Sequence, residues 1–154
     1  MKRFSTRFCR TGVPMLALVL ATMAIPVDSV EATDQEEQFQ TSRAVGIEVS
    51  ARFDNRTDVR SGTADRLLFS LALDTHSINL FAIDIEQSTE VYLDGEQLTL
   101  TEVRWEGDTE NSHHRYGWLT VRTPTLAPGE KKNGTLELRL RDAGRSDRIF
   151  EWTL

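Results

Sequence analysis

Residues 45–53, Val45-Gly46-Ile47-Glu48-Val49-Ser50-Ala51-Arg52-Phe53, alternate between two kinds of side chain without a break. A period of two puts Val45, Ile47, Val49, Ala51 and Phe53 on one face and Gly46, Glu48, Ser50 and Arg52 on the other, because successive side chains of an extended chain point to opposite sides. The stretch therefore reads as a half-buried strand. Asp54-Asn55-Arg56-Thr57-Asp58 ends it with turn-forming residues.

The same period recurs downstream. Leu67, Phe69, Leu71 and Leu73 alternate with Leu68, Ser70 and Ala72, while residues 78–85 (INLFAIDI) are almost continuously apolar and predict a strand covered on both faces. Val91-Tyr92-Leu93 and Leu98-Thr99-Leu100 flank Asp94-Gly95, a dipeptide favoured in tight hairpin turns, with Glu96 and Gln97 leaving room for a longer loop. Val103 and Trp105 mark a short edge segment before an acidic loop at 106–112, and 118–122 read as a strand with Leu119 and Val121 on one face. Leu136, Leu138 and Leu140, then Phe150, Trp152 and Leu154, alternate to the end. No amphipathic helix of useful length is evident. Seven or eight short strands in about 110 residues predict an all-β domain over 45–154: an immunoglobulin-like antiparallel β-sandwich, with a small closed barrel as the alternative.

Residues 33–44 are polar and acidic and read as a flexible leader. Residues 1–32 carry the marks of a cleavable signal peptide. Lys2, Arg3, Arg7 and Arg10 precede an apolar run from Val13 to Ile25, and Val30-Glu31-Ala32 offers a cleavage site. The run is about 13 residues, short of the ~20 that a membrane-spanning helix needs. The expected protein is secreted or periplasmic and is not inserted in the membrane after cleavage.

The chain has 154 residues and a formal net charge of −6. Its first 32 residues hold four of its basic residues and only two of its acidic ones, so cleavage makes it more acidic. Such a surface argues against nucleic acid as a partner. The single cysteine, Cys9, lies in the signal segment, so no disulfide supports the mature domain.

Three histidines carry the chemistry. His76 lies in Asp74-Thr75-His76-Ser77, a tight connection between two apolar segments, and His113-His114 enters the strand that contains Trp118. If sheet pairing joins these places, His76, His113 and His114 form a candidate site for Zn²⁺ or Cu²⁺, with Asp74 as a carboxylate ligand. Asp108 and Glu110 are further carboxylates near in sequence. Against this, adjacent strand residues face opposite ways, and histidines in turns often serve only as hydrogen-bonding groups.

Asp74, His76 and Ser77 have the residue types of a catalytic triad but are too close in sequence for its linear geometry. Asp54, Asn55 and Asp58 lack the order of a calcium loop, and no glycine-rich phosphate cradle is present. The expectation is a non-enzymatic binding domain without an organic cofactor. The alternative is an envelope-associated protein-interaction or structural module with structural histidines. Asn55-Arg56-Thr57 and Asn133-Gly134-Thr135 match the glycan-acceptor pattern. Trp105, Trp118 and Trp152 are expected in the core, an exposed aromatic pair being the sign of a ligand platform.

Leu73-Asp74-Thr75-His76-Ser77-Ile78-Asn79-Leu80, His113-His114-Arg115-Tyr116-Gly117 and Arg148-Ile149-Phe150-Glu151-Trp152 resemble segments of exported prokaryotic β-sandwich domains of uncharacterised function. Those domains carry a T-H-S turn, a later H-H pair that usually follows glycines, and a terminal aromatic strand. Here Asn111-Ser112 precedes the pair. The resemblance spans about residues 45–154 and implies export and a sandwich fold, without an activity.

Overall fold

The computed structural model describes residues 39–108 and 110–154. The expected signal segment and residues 33–38 of the leader lie outside the described residues.

Among the described residues, nine strands form two antiparallel sheets. They are β1 (Gln40–Ala44), β2 (Ile47–Phe53), β3 (Leu67–Thr75), β4 (Thr89–Leu93), β5 (Glu96–Gln97), β6 (Glu102–Gly107), β7 (His114–Arg122), β8 (Thr135–Leu140) and β9 (Arg148–Thr153). The larger sheet has the order β1-β2-β3-β7-β6 and the smaller β5-β4-β8-β9. The chain crosses between them three times, and neither closes on itself, so the barrel alternative is set aside in favour of a sandwich-like arrangement.

The core follows the sequence parity. Ile47, Val49, Ala51 and Phe53 of β2 are buried with Leu67, Phe69, Leu71 and Leu73 of β3, Leu119 and Val121 of β7, and Leu136, Leu138 and Leu140 of β8. Trp152 joins the two sheets: its ring lies 5.7 Å from Phe53, 5.4 Å from Phe69 and 6.4 Å from Phe150. Aromatics that each bury roughly 150–250 Å² supply much of the cohesion of a domain without disulfides.

Several expectations are corrected, among them the strand expected at Leu98-Thr99-Leu100, where the structure has β5 at Glu96–Gln97 instead. First, residues 78–85 are not a strand: they form a 3₁₀ turn, Leu80–Ala82, and the start of a short helix, α2 (Ile85–Ser88). The Asn79 side chain accepts the Phe81 N–H and the Asp84 side chain accepts the Gln87 N–H, so each polar residue starts a helical turn. Leu80, Ile83 and Ile85 still point inward. Second, the sheet begins earlier than the pattern indicates, since Gln40–Ala44 of the expected leader pair with β2 from Gln40↔Ala51 to Ala44↔Ile47. Third, Asp94-Gly95 is itself the whole two-residue hairpin loop, between Leu93 and Glu96. A further helical turn, α1 (Arg56–Ser61), continues the bend after β2. Asn55 accepts the Leu68 N–H and donates to the Arg66 carbonyl, which makes it a structural turn residue.

Val45 is not in a strand. With Gly46 it forms the two-residue turn between β1 and β2, and both have positive φ (51° and 75°). A β-branched residue is poorly suited to that region, and the Val45 side chain is exposed. Val45→Asn, which gives the turn a residue tolerant of positive φ, should therefore stabilise the domain by about 1 kcal/mol. Urea denaturation of the variant beside the parent checks this; an unchanged or lowered midpoint contradicts the assigned turn.

Candidate functional site

Pairing of β3 with β7 brings the two histidine-bearing bends to one end of the larger sheet. Asp74 and His114 are direct cross-strand partners, and the Thr75 N–H donates to the His113 carbonyl at 2.9 Å. The His114 Nδ1 lies 2.5 Å from Asp74 Oδ1, and the His76 and His114 rings are 6.3 Å apart, nearly perpendicular. Asn111 shapes the approach, its side-chain oxygen accepting the N–H groups of both His113 and His114. Asp74, His76 and His114 are thus neighbours. His113 gives its backbone to the rim, but among the described residues no ring contact or hydrogen bond joins its imidazole to the other two. Among the described residues, no three His, Asp, Glu or Cys side chains are arranged to hold a metal ion.

Behind the rim, Arg115 points inward. Its guanidinium donates to the Leu80 and Ile83 carbonyls at 3.0 and 3.2 Å and lies over the rings of Phe81 and Trp105. Burial pushes its pKa below the usual arginine range. Trp105 lies across Gly107 and Gly117, where an added Cβ would collide with its indole. These two glycines face each other in the β6–β7 register, so they make the hollow that the indole fills.

The outer face of the larger sheet has a different character. His114, Tyr116 and Trp118 alternate outward along β7. Tyr116 and Trp118 are 46% and 48% exposed, with ring centroids 5.8 Å apart and planes at 72°. Beside them the sheet carries small side chains: Ala72 is opposite Tyr116, Ser70 opposite Trp118, and Ser50 opposite Ala72. On the other side Glu106 is the partner of Trp118. Beyond the small residues Arg52, opposite Ser70, lies over the ring of Phe39 at 5.1 Å. An aromatic ridge thus runs beside a strip of small residues on β3 and β2, of which Ser70 is fully buried and bonded to Asp54.

The charges bordering this face are paired. Arg43 meets Glu48 at 2.5 Å, Arg52 meets Asp54 at 2.6 Å, and Arg104 meets Glu106 at 2.6 Å. Arg122 contacts Asp65 at 2.8 Å and Glu102 at 3.1 Å.

Sheet edges, by contrast, are interrupted at single residues. The Glu86 carboxylate accepts the Trp105 N–H of β6 at 2.8 Å. The Gln40 side-chain amide donates to the Glu151 carbonyl and accepts the Glu151 N–H of β9, as a neighbouring backbone would. Arg148 takes the Ala44 carbonyl at the end of β1, and β5 is two residues long. Devices of this kind suppress strand addition.

No family model, no curated protein and no solved structure matches the chain.

The exposed aromatic ridge overturns the expectation that Trp118 belongs to the core. The signal was available: with Leu119 and Val121 inward, period two sends Trp118 outward. Of the three tryptophans, Trp152 is buried, Trp105 half-buried and Trp118 exposed. Acrylamide should therefore quench chiefly one emitter, and Trp118→Phe should remove most of the quenchable fluorescence without lowering the thermal midpoint. Quenching that survives this substitution contradicts the outward placement.

Proposed function

We propose that the chain is an exported, non-catalytic binding domain of immunoglobulin-like type that meets its ligand with the outer face of its five-stranded sheet. One observation carries this reading: Tyr116 and Trp118 stand together, about half exposed, in the middle of that face, while the edges of β6 and β9 are each interrupted by a side chain. Solvent-exposed aromatics grouped on a sheet are a recognised mark of interaction surfaces. The basic and apolar pattern of residues 1–32 supports export, and the two-sheet division with three crossings supports the immunoglobulin-like type.

Co-sedimentation with the insoluble envelope fraction of the producing cells tests the reading. The purified domain should bind, Trp118→Ala and Tyr116→Ala should each weaken binding about tenfold, and the edge variant Glu86→Ala should leave it unchanged. Binding by the two aromatic variants equal to that of the parent contradicts it.

A second reading is favoured by the bond between Asp74 and His114. A carboxylate on Nδ1 leaves Nε2 of His114 to act as a ligand, the arrangement in which metal-binding histidines are commonly oriented. With His76 alongside, the rim then takes Zn²⁺ or Cu²⁺ through His76 and His114, with Asp74 orienting His114. Calorimetric titration of untagged protein with Zn²⁺ should show binding that weakens at least tenfold in His76→Ala and about 10–100-fold in Asp74→Ala. His113→Ala should bind as the parent does. Unchanged affinity in His76→Ala dismisses the metal reading.

A further inference from the structure

We infer that the ligand of the aromatic face is a neutral, hydroxyl-rich glycan chain, its sugar rings packed on Trp118 and Tyr116. The inference rests on the binding reading above and gives that face a chemical class of ligand.

Four features converge on it. The first is the ridge itself. The face of an aromatic ring is the negative end of its quadrupole. Sugar ring hydrogens sit on carbons that bear oxygen and are slightly positive, so the two surfaces attract while both shed water. The second is shape. The Tyr116 and Trp118 planes meet at 72°, making a corner and not a continuous shelf. Beside the corner β3 and β2 carry the small residues Ser70, Ala72 and Ser50, Ser70 being fully buried, with Arg52 and Phe39 beyond them. From β7 to β2 is two strand spacings, about 10 Å. Rings set at such an angle suit a single chain and not a flat crystalline surface, which needs coplanar rings.

The third feature is charge. Arg43, Arg52, Arg104 and Arg122 each contact a carboxylate, so a polyanion would have to compete with these carboxylates for the arginines named on this face. The fourth is the Arg104–Glu106 pair, carried on the strand next to Trp118, with Glu106 its direct partner. A guanidinium offers only donors and a carboxylate only acceptors. Side by side they match adjacent hydroxyls, each of which both donates and accepts. Aromatic stacking and paired polar groups on a face whose named arginines are all matched by carboxylates favour a neutral polyol over a polyanion.

Native affinity electrophoresis through gels holding hydroxyethyl cellulose, galactomannan or arabinoxylan tests the inference, with sedimentation of the free domain as a companion. The parent should be retarded in at least one of the three gels, and Trp118→Ala should lose about tenfold in affinity. Trp118→Phe, which keeps a ring, should retain most of the retardation, and both variants should keep the parent's circular dichroism spectrum. No retardation in any gel overturns the glycan, as does retardation that survives both Trp118→Ala and Tyr116→Ala. Concentration-dependent dimerisation abolished by Trp118→Ala would assign the face to a second copy of the chain and overturn the glycan while sparing the binding face. Envelope binding without retardation on the three polysaccharides has the same meaning. Failure of envelope binding by the aromatic face removes the parent reading as well.

Discussion

Eight successive cross-strand pairs, from Leu67↔Val121 to Asp74↔His114, hold β3 against β7 in the interior of the larger sheet. Most other placements in the molecule depend on this register. It directs Leu119 and Val121 into the core, sends Tyr116 and Trp118 to the solvent, and draws His114 onto Asp74. A slip of one residue would exchange the two faces, exposing leucine and burying tryptophan against an already full interior. Leu67, Phe69, Leu71 and Leu73 are all completely buried, so such a slip has no compensating gain. At the end of the ladder, the Thr75–His113 backbone bond and the Asp74–His114 contact fix the last pair.

Where one face of a strand is buried and the other wet, alternation in the sequence is enough to reveal it, and β2 shows this in a strict buried-to-half-buried pattern from Ile47 to Phe53. Residues 78–85 were harder because apolar density without a clear period suits a buried strand and a buried turn equally. Asn79 and Asp84 decide the matter locally by capping, and the position beside β3 is in any case taken by β7. β1 escaped notice for the opposite reason. Gln-Thr-Ser-Arg-Ala has almost no apolar pattern, and its strand character comes from pairing with β2 and from the Gln40–Glu151 contact across 111 residues. The histidine rim could be conceived from sequence, but the proximity of His76 and His114 belongs to tertiary pairing. His113, expected as a third ligand, lies in the bend before β7 and gives its backbone carbonyl to Thr75.

The three tryptophans illustrate how one residue type takes three roles. Trp152 is at the centre of an aromatic cluster with Phe53, Phe69 and Phe150 that joins the sheets. Trp105 covers two glycines and the Arg115 guanidinium, filling a place where side chains are missing. Trp118 is left on the surface, where its hydration is a cost that a bound partner can relieve. Position within the pleat, set by parity, separates these fates more than the residue's own hydrophobicity does.

Arg148 has a wider consequence. It is fully buried, and its guanidinium donates to the Ala143 carbonyl in the bend before β9 and to the Ala44 carbonyl at the end of β1. Burial lowers its pKa from the usual range, yet a guanidinium keeps its proton in proteins. Among the described residues, this permanent interior cation meets only the carbonyl dipoles of the segments it ties. If β1 peels away, that cation loses one of its acceptors while still enclosed. Detachment of the first strand is then coupled to disruption of the last, so amides at the two ends of the domain should exchange with solvent in a single cooperative opening instead of fraying separately.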